Sequence, residues 1–285
     1  AIIIIICIMA NNVSSKIGVP SLLLFLILGM IFNRMYDFND YILSSNICTV
    51  TLIFIMFYGG FGTNWEFAKP VAKQAFLLSF VGTFLTSIIT GLLCFLILKI
   101  DLFESMLIGS VIGSTDAASV FSILRSKNLN LKGGLASLLE LESGSNDPMS
   151  YMLTVIFLGL IGKTIGTPLS IIIMLLKQIV FALLAAALIS YLAYMVLKKV
   201  KFAINGLDTI FVFATALLSY SLSASLGGNG FLSAYIVGIV LGNCHFKNKV
   251  ILVNFFDGIT GLMQMVLFFL LGLLSTPQNI LPAAK

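Results

Sequence analysis

Long apolar runs alternate with short polar connections along the whole chain. We place ten apolar segments, near residues 1–12, 20–33, 47–65, 74–98, 103–124, 134–161, 178–197, 207–226, 229–243 and 250–274. A bilayer core about 30 Å thick needs about 20 predominantly apolar residues per helix. The pattern therefore predicts an all-α polytopic membrane protein with about ten transmembrane helices. The first segment is too short to span and lacks an initiating Met, so we expect the chain to begin inside a helix.

Composition supports the membrane interpretation. The chain is 59% hydrophobic and 9% charged, with a mean hydropathy of +1.11, whereas soluble domains carry about 25% charged residues. The net charge of +5 then reflects loop placement and does not indicate nucleic-acid binding. No nucleophile–base pair, cofactor motif or thiol spacing of a metal site is evident, so we expect neither enzymatic activity nor a cofactor.

Lys and Arg predict the orientation. If the N-terminal side of the first segment faces outward, the cytoplasmic connections carry eleven of the 16 basic residues, as the positive-inside rule favours. The cytoplasmic set is Lys16, Lys69, Lys73, Arg125, Lys127, Lys132, Lys198, Lys199, Lys201, Lys247 and Lys249.

Two pairs of segments show a faint internal repeat. Segments two and nine, "IGVPSLLLFLILGMIFN" and "LGGNGFLSAYIVGIVLGN", align Gly29 with Gly238. Segments three and ten, "IFIMFYGGFGTN" and "MVLFFLLGLLST", align Gly60 with Gly272. Each pair lies seven helices apart, and an odd offset inverts the topology, as in many secondary transporters. Because glycine matches also arise by chance in apolar sequence, the alignment alone leaves both interpretations open.

Carboxylates interrupt segments five and six. Segment five, "MLIGSVIGSTDAASVFSIL", contains Thr115 and Asp116, and segment six contains "LELESGSNDPMS" with Glu140, Glu142 and Asp147. A charged residue at the bilayer centre costs at least about 2.5–3.5 kcal/mol on insertion scales. So many costly groups indicate an ion or proton path.

Helical geometry sorts the polar residues of segment six. Glu140 and Asp147 lie nearly on one face with Ser143 between them, and Glu142 and Asn146 form a neighbouring stripe.

The backbone is expected to open in both segments. Pro148 lacks a backbone donor, so the carbonyl of Gly144 loses its helical partner, and Gly109 with Gly113 loosens segment five. Two opened helices with carboxylate, hydroxyl and carbonyl oxygens predict a site for a hard monovalent cation.

These motifs also carry a family resemblance. "GSTDAASVFSILR" followed by "LELESGSNDPMSYMLT" resembles the paired signature of the NhaP-type monovalent cation:proton antiporters, especially their bacterial potassium/proton branch. The similarity continues through "FLILGMIFN", "FFDGI" and "FFLLGLL" and so covers essentially the whole chain. It implies an inverted-repeat cation/proton antiporter fold with broken helices, of which about ten of roughly thirteen transmembrane helices are present.

The resemblance implies roles for five residues. Asp147 matches the aspartate that binds either the cation or a proton, and Asn146 matches a neighbour that is Asn in electroneutral exchangers and Asp in many electrogenic ones. Thr115 and Asp116 match the pair in the crossing extended segment, and Ser143 matches a hydroxyl ligand. The implied ligands of the monovalent cation are Asp147, Asp116, Ser143 and Thr115.

The resemblance also divides the chain. Residues 1–73 and 164–285 correspond to scaffold and dimerisation helices, and residues 74–163 to the core transport helices four to six that carry the ion site. Glu142 matches a structural glutamate that pairs with an arginine on a later helix, beyond residue 285. A homodimer in the cell membrane, the inner membrane of a bacterium, is implied.

One carboxylate that holds either a proton or a cation is sufficient for exchange. Asn146 contributes hydrogen bonds but no titrating charge, which predicts one proton per monovalent cation and electrically silent transport. The expected substrates are K⁺ or Na⁺, and H⁺. The alternative is a channel-like or ion-sensing membrane protein that uses the same site.

Overall fold

The chain folds as a series of helices. The computed structural model describes residues 2–17, 19–34, 38, 40–116, 131–164, 167–200, 202, 206–245 and 249–275, and within these ranges every regular element is helical. The helices are α1 (Ile2–Ile17), α2 (Ser21–Asn33), α3 (Tyr41–Gly62), α4 (Trp65–Leu98), α5 (Leu102–Ile112), α6 (Leu135–Ile161), α7 (Pro168–Lys199), α8 (Leu207–Ser225), α9 (Gly230–Gly242) and α10 (Lys249–Leu274). The all-α prediction is confirmed, and each apolar segment overlaps one helix in the described part of the chain, although α4 and α7 begin well before their segments.

Helix α4 contains two irregular turns. A 3₁₀ turn spans Lys69–Val71, where Pro70 has no backbone N–H to continue the α-helical bonding. A wider π-helical turn follows at Leu78–Gly82. Such turns often lie at functional sites, and this one lines the cavity described below.

Several helices have the length and composition of membrane spans. In the described part of the chain, α3, α4, α7, α8 and residues Ile251–Leu274 of α10 are long and apolar enough to cross a bilayer. Helix α7 leaves Leu183, Leu184 and Leu188 exposed, as a lipid-facing surface requires. Helix α6 has 27 residues and, at about 40 Å, is also long enough to span a bilayer. It carries the polar residues Glu142, Asn146 and Asp147 in its middle.

The chain forms two compact units. The first takes in the described parts of Ala1–Ile55 and Val250–Lys285, and the second takes in Met56–Ala117 and Leu131–Lys249 as far as they are described. The candidate site lies wholly in the second unit.

In the first unit, α2 crosses α10 at two glycines. A Cβ on Gly29 would meet the carbonyl oxygen of Phe269, and a Cβ on Gly272 would meet that of Leu26. Asn33 beside this crossing donates from Nδ2 to the Leu273 oxygen at 2.7 Å.

In the second unit, α3 crosses α9 in the same way. A Cβ on Gly60 would meet the Tyr235 oxygen, and a Cβ on Gly238 would meet the Phe57 oxygen. When segment two is aligned with segment nine and segment three with segment ten, all four contacting residues fall on their counterparts in the first crossing. Helices α2 and α9 also have the same length of 13 residues. Packing thus supports the internal repeat that sequence alone left open.

The two helices expected to open behave differently. Helix α5 ends at Ile112, and the backbone from Gly113 to Asp116 is non-helical, so the expected break in segment five is confirmed at Gly113, whereas Gly109 remains within the helix. The expected opening of segment six is wrong, because α6 runs through Gly144 and Pro148 without interruption. A single proline removes one intrahelical bond, while the turns on either side keep theirs. Residues 117–124 of the predicted fifth segment lie outside the described residues.

Candidate functional site

The site lies where the non-helical stretch after α5 meets the middle of α6. Close packing of α5 on α4 positions this stretch, since a Cβ on Gly109 would meet the Ser87 oxygen and lie 2.7 Å from the Gly91 nitrogen. Asp101 caps the start of α5 by accepting a hydrogen bond from the Phe103 N–H at 2.8 Å. Contacts along α5 therefore hold this helix against α4 up to the start of the non-helical stretch.

Ser114 makes the direct contact with the predicted exchange carboxylate. Its hydroxyl donates to Asp147 Oδ1 and lies 3.2 Å from Asn146 Oδ1. Asp147 is partly exposed, whereas Asn146 is fully buried. A carboxylate that faces a hydroxyl across the helix interface can accept a proton or share a cation with the hydroxyl oxygen.

Asn146, Thr115 and Glu142 form a second set of hydrogen bonds. Asn146 donates from Nδ2 to Thr115 Oγ1 and, at 3.0 Å, to Glu142 Oε1. Thr115 Oγ1 in turn lies 3.2 Å from Glu142 Oε2, to which it donates. Both donors are directed at Glu142, so its carboxylate is fixed by hydrogen bonds from both sides of the interface.

Ser143 connects the non-helical stretch after α5 to α6. Its hydroxyl donates to the carbonyl oxygen of Thr115 at 2.9 Å. Asp116, the next residue, has an exposed side chain and is the last described residue of this stretch. The structure therefore brings Thr115, Ser143 and Asn146 together in direct contacts, with Asp147 reached through Ser114.

A further layer of hydroxyls lies one turn along α6. Ser150 donates to the Ser110 carbonyl oxygen, and the Ser110 and Thr154 hydroxyl oxygens are 3.1 Å apart. Thr154 also lies 2.9 Å from the Ser150 carbonyl, to which it donates. These bonds fix α5 against α6 immediately before the non-helical stretch begins.

A cavity opens beside Glu142. Its volume is about 260 Å³, which is room for several water molecules. One wall is the π-helical turn of α4 and the residues after it, and the other is formed by the non-helical stretch and α6. The lining residues are Leu78, Gly82, Thr83, Thr86, Gly113, Thr115, Leu138, Leu139 and Glu142.

The oxygen atoms at this site suit a hard cation. Carboxylate, hydroxyl and amide oxygens from Asp147, Ser114 and Asn146 converge within hydrogen-bonding range. Alkali and alkaline-earth cations prefer such ligands, and soft metals prefer thiolates.

Sequence reasoning missed Ser114 and the Ser150 layer. Ser114 directly precedes Thr115 in the stretch expected to be non-helical, so its position was the available signal. The family signature emphasised the Thr115–Asp116 pair instead. The Ser150 contacts join residues that sequence spacing does not relate, because they depend on how α5 crosses α6.

The chain matches a protein-family model. The family described as "Sodium/hydrogen exchanger, transmembrane" covers residues 1–283.

Curated relatives match along nearly the whole chain. It is 33% identical over 284 residues to the K(+)/H(+) antiporter NhaP of Alkalimonas amylolytica, which covers 98% of this chain and 49% of that protein. It is 34% identical over 281 residues to the K(+)/H(+) antiporter NhaP2 of Shewanella sp. (strain MR-4), covering 96% of this chain and 48% of that protein. The chain thus spans about half the length of these relatives.

The fold also matches a solved structure. The sodium proton antiporter MjNhaP1 from Methanocaldococcus jannaschii at pH 8 superposes with a TM-score of 0.82 at 22% identity, covering 99% of this chain and 71% of that one. This similarity shows the antiporter fold.

Proposed function

This chain belongs to the sodium/hydrogen exchanger transmembrane family, and from that membership we propose that it forms part of a secondary active transporter that exchanges a monovalent cation for protons. The observation that carries the proposal is the meeting of Asp147 with the Ser114 hydroxyl where a broken segment faces α6. A carboxylate within a membrane-spanning helix is energetically costly, so its presence there indicates a functional site.

Potassium is the proposed substrate, with sodium as the second cation. Two relatives that are at least 33% identical are named K(+)/H(+) antiporters. A more distant relative, 25% identical, is named a probable Na(+)/H(+) antiporter. Both cations accept the oxygen ligands present here.

Asp147 is proposed as the exchanging group. When it is protonated, no net charge remains to hold a cation, and when it binds a cation, the proton must leave. Competition at one carboxylate then couples the two ions if the site reorients only when one of them is bound. Thr115, Asp116 and Ser143 are proposed as further ligands from the facing stretch and from α6.

Asn146 and Glu142 are proposed to support that carboxylate. Asn146 holds Thr115 and Glu142 through its amide nitrogen and adds no titrating charge. One proton then exchanges for one cation without net charge movement. Glu142, held by Thr115 and Asn146, acts as a structural brace.

The same proposal divides the chain into a moving core and a scaffold. Residues 74–163 form the core that carries the site, and residues 1–73 and 164–285 form the scaffold through which two copies dimerise. Exchange occurs in the cell membrane, the inner membrane of a bacterium, with the eleven cytoplasmic basic residues on the inner side.

Cation-driven proton flux in liposomes tests this function. Adding K⁺ or Na⁺ to proteoliposomes with an imposed pH gradient is expected to dissipate that gradient. Asp147→Asn, which cannot bind a proton in exchange for a cation, is expected to abolish the response. Glu104→Gln is the matched control, because Glu104 is an exposed acid in the first turn of α5. Full activity in Asp147→Asn, or an ion current driven by voltage alone, would refute the proposal.

A further inference from the structure

The connection between α8 and α9, "LGGNG", brings three helices close together. Gly227 has a φ of +80°, which favours glycine, and turns the chain after α8. A Cβ on Gly228 would lie 2.8 Å from the Phe181 Cβ on α7, and a Cβ on Gly230 would lie 2.8 Å from the backbone carbonyl oxygen of Tyr220 on α8. The glycines therefore allow the residue between them, Asn229, to reach deep into the helix packing.

Asn229 uses its backbone N–H and both side-chain polar atoms at this junction. It is 1% exposed, and its backbone N–H donates to the Gln178 oxygen of α7 at 2.9 Å. Its Oδ1 caps α9 by accepting from the Leu232 N–H at 3.0 Å. Its Nδ2 donates to the carbonyl oxygen of Pro148 on α6, also at 3.0 Å.

Two further contacts join α9 to the same face of α6. The Tyr235 ring packs over Gly144, where a Cβ would lie 2.6 Å from the Tyr235 hydroxyl oxygen. The Tyr151 and Phe231 rings meet edge to face with centroids 5.0 Å apart.

The contacted positions on α6 share one helical face. Positions 144, 148 and 151 follow the spacing of a single stripe, whereas Ser143, Asp147 and Ser150 lie on a neighbouring one. Helix α9 thus packs on one face of α6, while Ser143, Asp147 and Ser150 on the adjacent face are directed at α5 and the non-helical stretch that follows it. Of these contacts, the hydrogen bond from Asn229 is the directional one, and its acceptor belongs to the residue that follows Asp147.

We infer that Asn229 is a positioning residue for Asp147. Its amide sets the rotation and height of α6 at Pro148, and thereby the distance from the Asp147 carboxylate to Ser114 and Thr115. The inference rests on the proposed function in one respect, the role of Asp147 as the exchanging group. Asn229 itself touches neither ion.

Two substitutions separate the hydrogen bond from the helix cap. Asn229→Ser keeps an oxygen that can cap α9 but is too short to reach the Pro148 carbonyl. Asn229→Asp keeps the size and the cap but presents an acceptor where a donor is needed. Asn243→Ser is the matched control, since Asn243 lies at the other end of α9 and donates to the Thr63 oxygen of α3 at 2.9 Å.

The kinetic experiment measures KM, kcat and the pH profile for K⁺-driven proton flux in proteoliposomes. Loss of one buried hydrogen bond corresponds to a change of about fivefold. We expect Asn229→Ser and Asn229→Asp to raise KM by about fivefold or more and to move the pH profile. We expect Asn243→Ser to leave both within about twofold of the wild type. Unchanged KM and pH profile in the Asn229 variants would overturn the inference, as would equal changes in the Asn243 control.

Hydrogen–deuterium exchange supplies a readout that does not need transport. In the same variants, peptides covering residues 144–152 are expected to exchange faster when Asn229 is replaced and to be unaffected by Asn243→Ser. If wild-type vesicles transport nothing, the proposed function fails, but this measurement still decides whether Asn229 positions α6. Unaltered exchange in both Asn229 variants would contradict a positioning role.

Discussion

Asp147 is stabilised by a hydroxyl and not by a fixed positive charge in its described contacts. Ser114 donates to its carboxylate in this state. A hydroxyl can also turn and offer its oxygen to a cation, because it carries both a donor and acceptor lone pairs. The same side chain can therefore serve both forms of Asp147, which an exchange site requires.

Thr115 is expected to hold the site together through its hydroxyl. Thr115→Val keeps the shape but leaves the Asn146 amide and the Glu142 carboxylate each without one partner. We expect a loss of about 1–3 kcal/mol in stability, measured as thermal unfolding in detergent. Thr115→Ser retains the hydroxyl and serves as the control. Equal melting temperatures for the Val variant and the wild type would show that these hydrogen bonds contribute little.

Asn146 is expected to determine whether exchange moves charge. Asn146→Asp introduces a second titratable carboxylate beside Asp147, so we expect the exchange rate to become sensitive to an imposed membrane potential. Asn146→Ser, which is uncharged, should be slower but insensitive. The ratio of rates at opposite potentials is the measurement, since it does not depend on absolute activity. A ratio of one for Asn146→Asp would contradict the role given to this residue.

The residues of the site were partly predictable. Helical spacing places Ser143 and Asp147 on one face, and the signature identifies Thr115 and Asn146, which the structure brings into contact. Ser114 and Asn229 were missed for a physical reason. Their partners lie on other helices, and helix crossings are determined by packing that local sequence patterns do not encode.

At the scale of helices, glycines permit the two matched crossings. Each glycine lets one helix backbone approach the carbonyls of another, as is typical of packing within membranes. The repeat of this geometry in α2 with α10 and in α3 with α9 gives physical meaning to the glycine matches found in the sequence.

Gly60 and Gly59 provide a test of that packing within one turn of α3. A Cβ on Gly60 would meet the Tyr235 backbone oxygen, whereas a Cβ on Gly59 would have no atom of the described chain within 4 Å. Gly60→Ala is expected to destabilise the protein by about 1–3 kcal/mol or more, with Gly59→Ala close to neutral. Thermal unfolding of both variants in detergent is the measurement. Equal effects would rule out a close crossing at Gly60.

Helix α6 is the element in which the predicted opening of the helix was wrong. Pro148 and Gly144 favoured an opened helix, yet α6 is continuous from Leu135 to Ile161. Met149, Met152 and Leu153 form a buried cluster around this region, and Asn229 holds the Pro148 carbonyl. Tertiary packing on both sides of the proline outweighs the one missing backbone bond.

At the scale of the whole molecule, hydropathy was sufficient to predict the helices. Water is absent from the bilayer core, so each spanning segment must be apolar and must satisfy its own backbone. The irregular turns of α4 were not predicted, because a single proline or a π-helical turn leaves the hydrophobic pattern intact.

The predicted orientation is open to direct labelling. In a background with the four cysteines replaced by alanine, Lys199→Cys is expected to react with an impermeant thiol reagent only from the cytoplasmic side. Lys99→Cys is expected to react only from outside. The physical reason is the excess of basic residues on the cytoplasmic connections. Labelling in the opposite sense would invert the topology assigned here.

The central claim is that one carboxylate, Asp147, exchanges one cation for one proton. Its most direct test is the simultaneous measurement of cation uptake, proton release and current in proteoliposomes containing the wild type or Asp147→Asn. We predict equal cation and proton fluxes with no current for the wild type, and neither flux for the variant. Unequal fluxes accompanied by current, or coupled flux that persists in Asp147→Asn, would contradict the account.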